Sequence, residues 1–199
     1  MGTNQGIGHQ VQSLLLVAFL TAGWAPARGQ DPVSAKEQSE NAADFKEFLK
    51  RVQAYVTLRK SIESTLPALK TSDLPEMITA HQQALARKIR EARPNAKSGD
   101  IFTVDARRAF RRIIREEFRG PHGRGARNTI RQGEPLKEIH PQVNQPYPEG
   151  VPFTTVPPIL LLKFPRLPDQ VAYRIVGRDL ILLDVEANLV VDRISEIIP

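Results

Sequence analysis

The sequence predicts an α+β protein with about three N-terminal amphipathic helices, a proline-rich extended strap and a C-terminal three-stranded β-meander. Three observations carry that assignment. From Asp44 to Arg119 the apolar residues recur in steps of three and four. Residues 133–170 then hold nine of the chain's 16 prolines, which excludes regular helix there. Finally, residues 171–194 are short β-branched and aliphatic runs separated by turn residues.

The chain opens on an apolar run of 12 residues, Ser13 to Trp24. That is short of the roughly 20 residues needed to span a bilayer. It is followed by Ala25-Pro26-Ala27, a small-x-small pattern, with Ala27-Arg28-Gly29 as a second option. This is the layout of a secretory signal peptide over 1–29, although Met1 to Gln12 carries no Lys or Arg. No later stretch is long and apolar enough to cross a membrane, so a periplasmic or secreted protein is expected. Residues 30–43 are polar and read as a flexible leader.

The helical region is expected over 44–132. Phe45, Phe48, Leu49, Val52, Tyr55, Val56, Ile62 and Leu66 mark a first amphipathic helix that ends before Pro67. Ser72-Asp73-Leu74-Pro75-Glu76 starts a second, with Ile78, His81, Leu85 and Ile89 on one face. A third follows Thr103, a good N-cap, with Asp105 suited to the positive end of the helix dipole. Its apolar face is Phe110, Ile113, Ile114 and Phe118, and Arg108, Arg111, Arg112, Arg115 and Arg119 fall opposite. The glycines of 120–125 read as a mobile loop that stops this helix.

The strap over 133–170 is expected either to wrap the helices or to act as a semi-rigid tether. In the meander over 171–199, Gly177-Arg178 fits a two-residue hairpin turn with glycine first. Glu186-Ala187-Asn188 makes the next turn, with Asn able to take the left-handed conformation. Leu180 to Leu183 is apolar on both faces, so that strand should be central and covered, with the helices packed on the sheet.

Net charge is +6, unevenly spread. Residues 133–199 carry six basic and nine acidic side chains, which leaves +9 on the rest. The basic part could attract the acidic part or meet an outside anion. The absence of cysteine excludes disulfides, thiolate nucleophiles and Cys-based zinc sites. No phosphate-binding loop, serine elbow or dinucleotide fingerprint is present, and no cofactor is implied. The four histidines, at 9, 81, 122 and 140, lack metal-ligand spacing.

Asp179, Asp184, Glu186 and Asp192 are numerous enough to suggest an acid-based site. Asp179 and Asp184, however, stand at opposite ends of one expected strand, roughly 16 Å apart at about 3.3 Å per residue. The acids therefore read as architecture. The candidate binding residues are His81, on a helix's apolar face, and Arg108, Arg111, Arg112 and Arg115. Guanidinium groups suit carboxylates and phosphates. No exposed aromatics lie among them to stack bases, so nucleic acid is not the expected partner.

Val52-Gln-Ala-Tyr-Val-x-Leu-Arg-Lys60, Ala80-His-Gln-Gln-Ala-Leu-Ala-Arg87, Gly99-Asp-Ile-Phe-Thr103, Phe110-Arg-Arg-Ile113 and Tyr173-Arg-x-Val-Gly-Arg-Asp-Leu-Ile-Leu-Leu-Asp184 resemble an uncharacterised family of exported bacterial proteins. The resemblance spans most of the chain after the signal peptide and implies export, with helices and meander as one recurring unit. It transfers no activity, ligand or catalytic residue. The expected function is a cell-envelope binding or adaptor protein that meets an envelope protein or an anionic surface. The alternative is an enzyme using His81 with a carboxylate partner. The two differ in what must cluster: a cleft where His81 meets a carboxylate, or an exposed basic patch.

Overall fold

The structure, a computed structural model, describes residues 35–70, 74–121, 123–132, 139–148 and 150–199. The expected signal peptide, the leader residues before Ala35, and the Ser72-Asp73 helix start lie outside the described residues. The architecture is α+β. In chain order it runs α1 (Ala35–Glu63), α2 (Pro75–Ala92), α3 (Val104–Arg119), α4 (Gly123–Gln132), β1 (Thr154–Thr155), α5 (Pro158–Leu161), β2 (Val171–Val176), β3 (Asp179–Asp184) and β4 (Leu189–Ile194). The strands form one antiparallel sheet in the order β1-β2-β3-β4, one strand more than the expected meander.

The first three helices form where the apolar spacing places them. On α1, Phe45, Phe48, Val52, Tyr55 and Val56 are buried. This helix begins at Ala35, so the helical region reaches into the stretch expected to be leader. On α2, Leu85, Ala86 and Ile89 are buried, but Ile78 is 49% exposed, so only the second half of that face packs. On α3, the Thr103 hydroxyl accepts from the Ala106 N–H at 3.3 Å, the expected cap, and Asp105 sits in the first turn. Phe110, Ile113, Ile114 and Phe118 are buried with Ala106 and Ala109.

The glycine-rich segment is not a loop throughout. Gly123 opens α4, and Ala126 and Ile130, four residues apart, turn one face into the core. Tertiary packing overrides the low helix propensity of its glycines. Gly123 also permits a close approach: a Cβ there would lie 2.2 Å from the Phe118 carbonyl oxygen.

In the sheet, Gly177 has φ +56° and Arg178 does not share it, as a glycine-first type II′ turn requires. The pairing Val176↔Asp179 closes the two-residue hairpin. Asn188 takes φ +46°, as its turn position demands. Every residue of β3 is buried. Leu180 and Leu182 join the helix-side core, while Ile181 and Leu183 pack on the other face with Tyr147, Val176 and Val190. A bulge interrupts the β3–β4 ladder between Leu182 and Leu183, where the partners jump from Asp192 to Val190. It turns the Asp192 carboxylate toward the helices.

The strap wraps the sheet, rather than the helices alone or a free path through solvent. Asn144 and Gln145 exchange backbone bonds with Val190 on the β4 edge, through Asn144 N–H to Val190 O (2.8 Å) and Val190 N–H to Gln145 O (3.0 Å). Tyr147 N–H adds a bond to Asn188 O at 2.8 Å. Farther on, β1 pairs with β2 at the opposite edge. Between them Tyr147 and Val151 cover the outer face. One proline-rich segment thus occupies both edges, positions that otherwise invite intermolecular pairing. The short α5 interrupts it with one helical turn.

An aromatic cluster of Phe45, Phe48, Phe102, Phe110, Phe164 and Tyr173 joins helices to sheet, with ring centroids 4.8–6.5 Å apart. Among the described residues, no helix is long and apolar enough to cross a membrane.

Candidate functional site

Arg59 lies on the buried stripe of α1, one turn beyond Tyr55, and its side chain is almost fully enclosed. A charge in that position needs partners, since an unpaired buried ion is strongly destabilising. It has three. Arg59 Nε donates to Asp184 Oδ2 at 3.0 Å, Nη1 to Glu63 Oε2 at 2.6 Å, and Nη2 to Glu186 Oε2. Burial works against its positive charge, but Asp184, Glu186 and Glu63 outweigh that and hold its pKa above the ordinary value.

Asp184, fully buried at the end of β3, is satisfied on both oxygens. Oδ2 also accepts from the Tyr55 hydroxyl at 2.7 Å, and Oδ1 from the Ala187 N–H at 2.9 Å. Burial, and then the adjacent Asp184 charge, push Tyr55 far above the usual tyrosine value. This network fastens α1 to the β3–β4 turn.

His81 stands beside the network. Its side chain is only 8% exposed, and Nε2 lies 3.6 Å from Glu186 Oε1. The same ring lines an apolar groove of about 290 Å³ with Leu66, Leu69, Met77 and Ala84 among its walls. Thus His81 does meet a carboxylate, at the margin of a cleft.

The remaining acids are architectural. Asp192 accepts from the N–H groups of Gly99 (2.9 Å), Ile101 (2.7 Å), Phe102 (2.7 Å) and Arg193 (2.7 Å), fixing the loop that leads into α3. Asp179 accepts from Glu196 N–H at 2.9 Å and Arg193 Nη1 at 3.3 Å.

The arginine stripe lies on the outer face of α3. Arg107, Arg108, Arg111, Arg112 and Arg115, with Val104, line a concavity of about 580 Å³ with no acidic residue among its described walls. Arg108 pairs with Asp105 at 3.2 Å, and Arg112 reaches Asp44 of α1 at 3.0 Å. Arg111 donates to the Ser195 carbonyl at 3.3 Å and Arg107 to the Ser98 hydroxyl at 3.2 Å. Among the described residues, none of these arginines pairs with an acid of the C-terminal part. The attraction between basic and acidic halves is realised instead by Arg59, which no reading of the stripe singles out.

The structure therefore brings Arg108, Arg111, Arg112 and Arg115 together and keeps His81 apart from them. Farther along, Arg127 belongs to a separate helix and folds back, donating to the Phe118 carbonyl at 3.0 Å. Sequence reasoning passed over Arg59, Glu63 and Glu186 as site residues. The available signal was Arg59 itself, a charge inside the three-and-four spacing between Val56 and Ile62. Comparison with protein-family models, with curated proteins and with solved structures finds no match to this chain.

Proposed function

We propose that this is an exported binding or adaptor protein that docks on an anionic surface of the cell envelope through the outer face of α3. One observation carries the reading: five arginines line a single open concavity with no acid among the described residues of its walls. Among the described residues two of them have acidic partners, Asp105 and Asp44, against five guanidinium groups on the face. Its arginines are spaced along a packed helix, and the planar guanidinium fork loses less entropy per hydrogen bond to phosphate or carboxylate than a lysine ammonium does. Export, expected from the apolar run and small-x-small pattern, supplies the envelope as the place where such an anion is met.

The test is binding of the full chain to vesicles with and without anionic lipid, and to a heparin-like polymer. Each basic side chain near an anionic membrane contributes about 1 kcal/mol. Replacing Arg108, Arg111 and Arg115 with Gln should thus weaken binding about 100-fold without lowering thermal stability. Arg112 is left intact because it ties α3 to Asp44. Equal binding to neutral and anionic vesicles would overturn the proposal.

A second reading, catalysis by His81 with a carboxylate partner, is favoured by the 3.6 Å approach to Glu186 beside the apolar groove. The variant His81→Gln separates the two. Under the first reading vesicle binding is unchanged, whereas under the second any turnover is lost.

A further inference from the structure

Glu63 at the end of α1, His81 in α2 and Glu186 in the β3–β4 turn each offer one ligand atom, and these atoms lie within 4.8 Å of one another. We propose that they form a binding site for one first-row divalent cation of the zinc type, independent of the arginine face.

The ligand set is one imidazole and two carboxylates. Imidazole disfavours calcium and magnesium, which take oxygen ligands, and suits zinc and its neighbours. Metal–ligand bonds of about 2.0–2.2 Å place the corners of a tetrahedron roughly 3.4 Å apart. The existing spread closes to that value if the carboxylates turn inward. Glu186 and Glu63 are 42% and 34% exposed and have room to do so.

His81 supplies an independent argument. Its ring is more than nine-tenths buried, yet no hydrogen bond to it is present among the described residues. The 3.6 Å approach of Nε2 to Glu186 exceeds hydrogen-bond length. His81 also lines the open groove, so its ring nitrogens remain reachable, and a cation between the two would partner both.

Charge points the same way. Glu63, Asp184 and Glu186 carry three negative charges around the single positive charge of Arg59. With His81 neutral the cluster is left at −2, which a divalent cation cancels. Arg59 holds one oxygen of each glutamate, Oε2 in both cases, and orients both carboxylates as outer-shell partners do in metal sites. Three protein ligands leave a coordination position open to water or to a ligand.

The probe is Zn²⁺ alone, titrated into the metal-free full chain by calorimetry, with Co²⁺ absorption as the report on ligand type. One equivalent of Zn²⁺ should bind and raise the melting temperature, and Co²⁺ should give a visible band without sulfur character. His81→Ala and Glu186→Gln should each weaken Zn²⁺ binding by more than about tenfold. Should His81→Ala fail to fold, Glu186→Gln decides, because its carboxylate is at the surface of the network. A Kd weaker than about 1 mM, or binding unchanged in Glu186→Gln, would overturn the assignment.

Discussion

Replacing Asp184 with Asn removes one charge from a fully buried network while keeping its shape. The amide oxygen can still accept from the Ala187 N–H, now 2.9 Å from Oδ1. The NH₂ group then faces Arg59 Nε and the Tyr55 hydroxyl, which stand 3.0 and 2.7 Å from Oδ2. The hydroxyl can rotate and accept, but the guanidinium N–H cannot. Breaking one side of a buried ion pair costs about 3–5 kcal/mol. Arg59 keeps Glu63 and Glu186, so the lower end, about 3 kcal/mol, applies. With an unfolding entropy of about 2.1 cal/mol/K per residue, the unit Ala35–Pro199 should lose about 9 °C in Tm. Thermal and urea melts followed by circular dichroism would measure it. The double variant Arg59→Met/Asp184→Asn should recover part of the loss, since it removes the unpaired guanidinium while the amide still partners the Ala187 N–H and the Tyr55 hydroxyl. A loss under about 3 °C for Asp184→Asn, or a double variant less stable than the single, would refute the argument that this pair fastens α1 to the sheet.

Three further perturbations follow. Asp192→Asn sets an amide NH₂ against backbone N–H groups of the loop before α3, and should cost about 2 kcal/mol in a urea melt; an unchanged midpoint would contradict the loop-fixing role. Gly177→Val should cost more than about 1 kcal/mol through its φ of +56°, while Gly177→Asn, which tolerates that conformation, should cost little; no side chain crowds the site, so backbone alone decides. Tyr55 and Tyr173 are held above the ordinary 10.0, Tyr173 by burial and Tyr55 by burial and then Asp184. Above that pH the unfolded chain binds fewer protons than the native one, so stability should fall as pH rises past about 10. Tyr55→Phe should flatten that decline, and an unaltered slope would count against the tyrosine's part in it.

The parts of the fold written in local pattern were readable, and those set by distant partners were not. Thr103 before an apolar period announces α3, and Gly177 between two β-branched runs announces the hairpin. The four consecutive apolar residues of β3 announce burial on both faces. By contrast, α4 depends on Ala126 and Ile130 finding the core, which its glycines conceal. β1 is two residues long and exists only because β2 offers an edge. The candidate metal cluster joins residues 63, 81 and 186, a spacing no short motif encodes. Arg59 looks like one more basic side chain in Leu-Arg-Lys until its place on the buried stripe is noticed. The acids 125 and 127 residues away then explain it.

The proposed docking face can be tested by one labelled side chain. Val104 is 72% exposed and lines the arginine concavity, and the chain has no cysteine, so Val104→Cys carries a fluorophore at one defined place. A second sample labelled through Leu74→Cys, on the exposed start of α2, serves as the comparison. With anionic vesicles at low salt, the label at 104 should become shielded from an aqueous quencher while the label at 74 stays accessible. The shielding should vanish near 1 M salt, where the Debye length falls to about 3 Å. Equal shielding at both positions, or shielding at 104 that persists in high salt, would contradict docking through the arginine face.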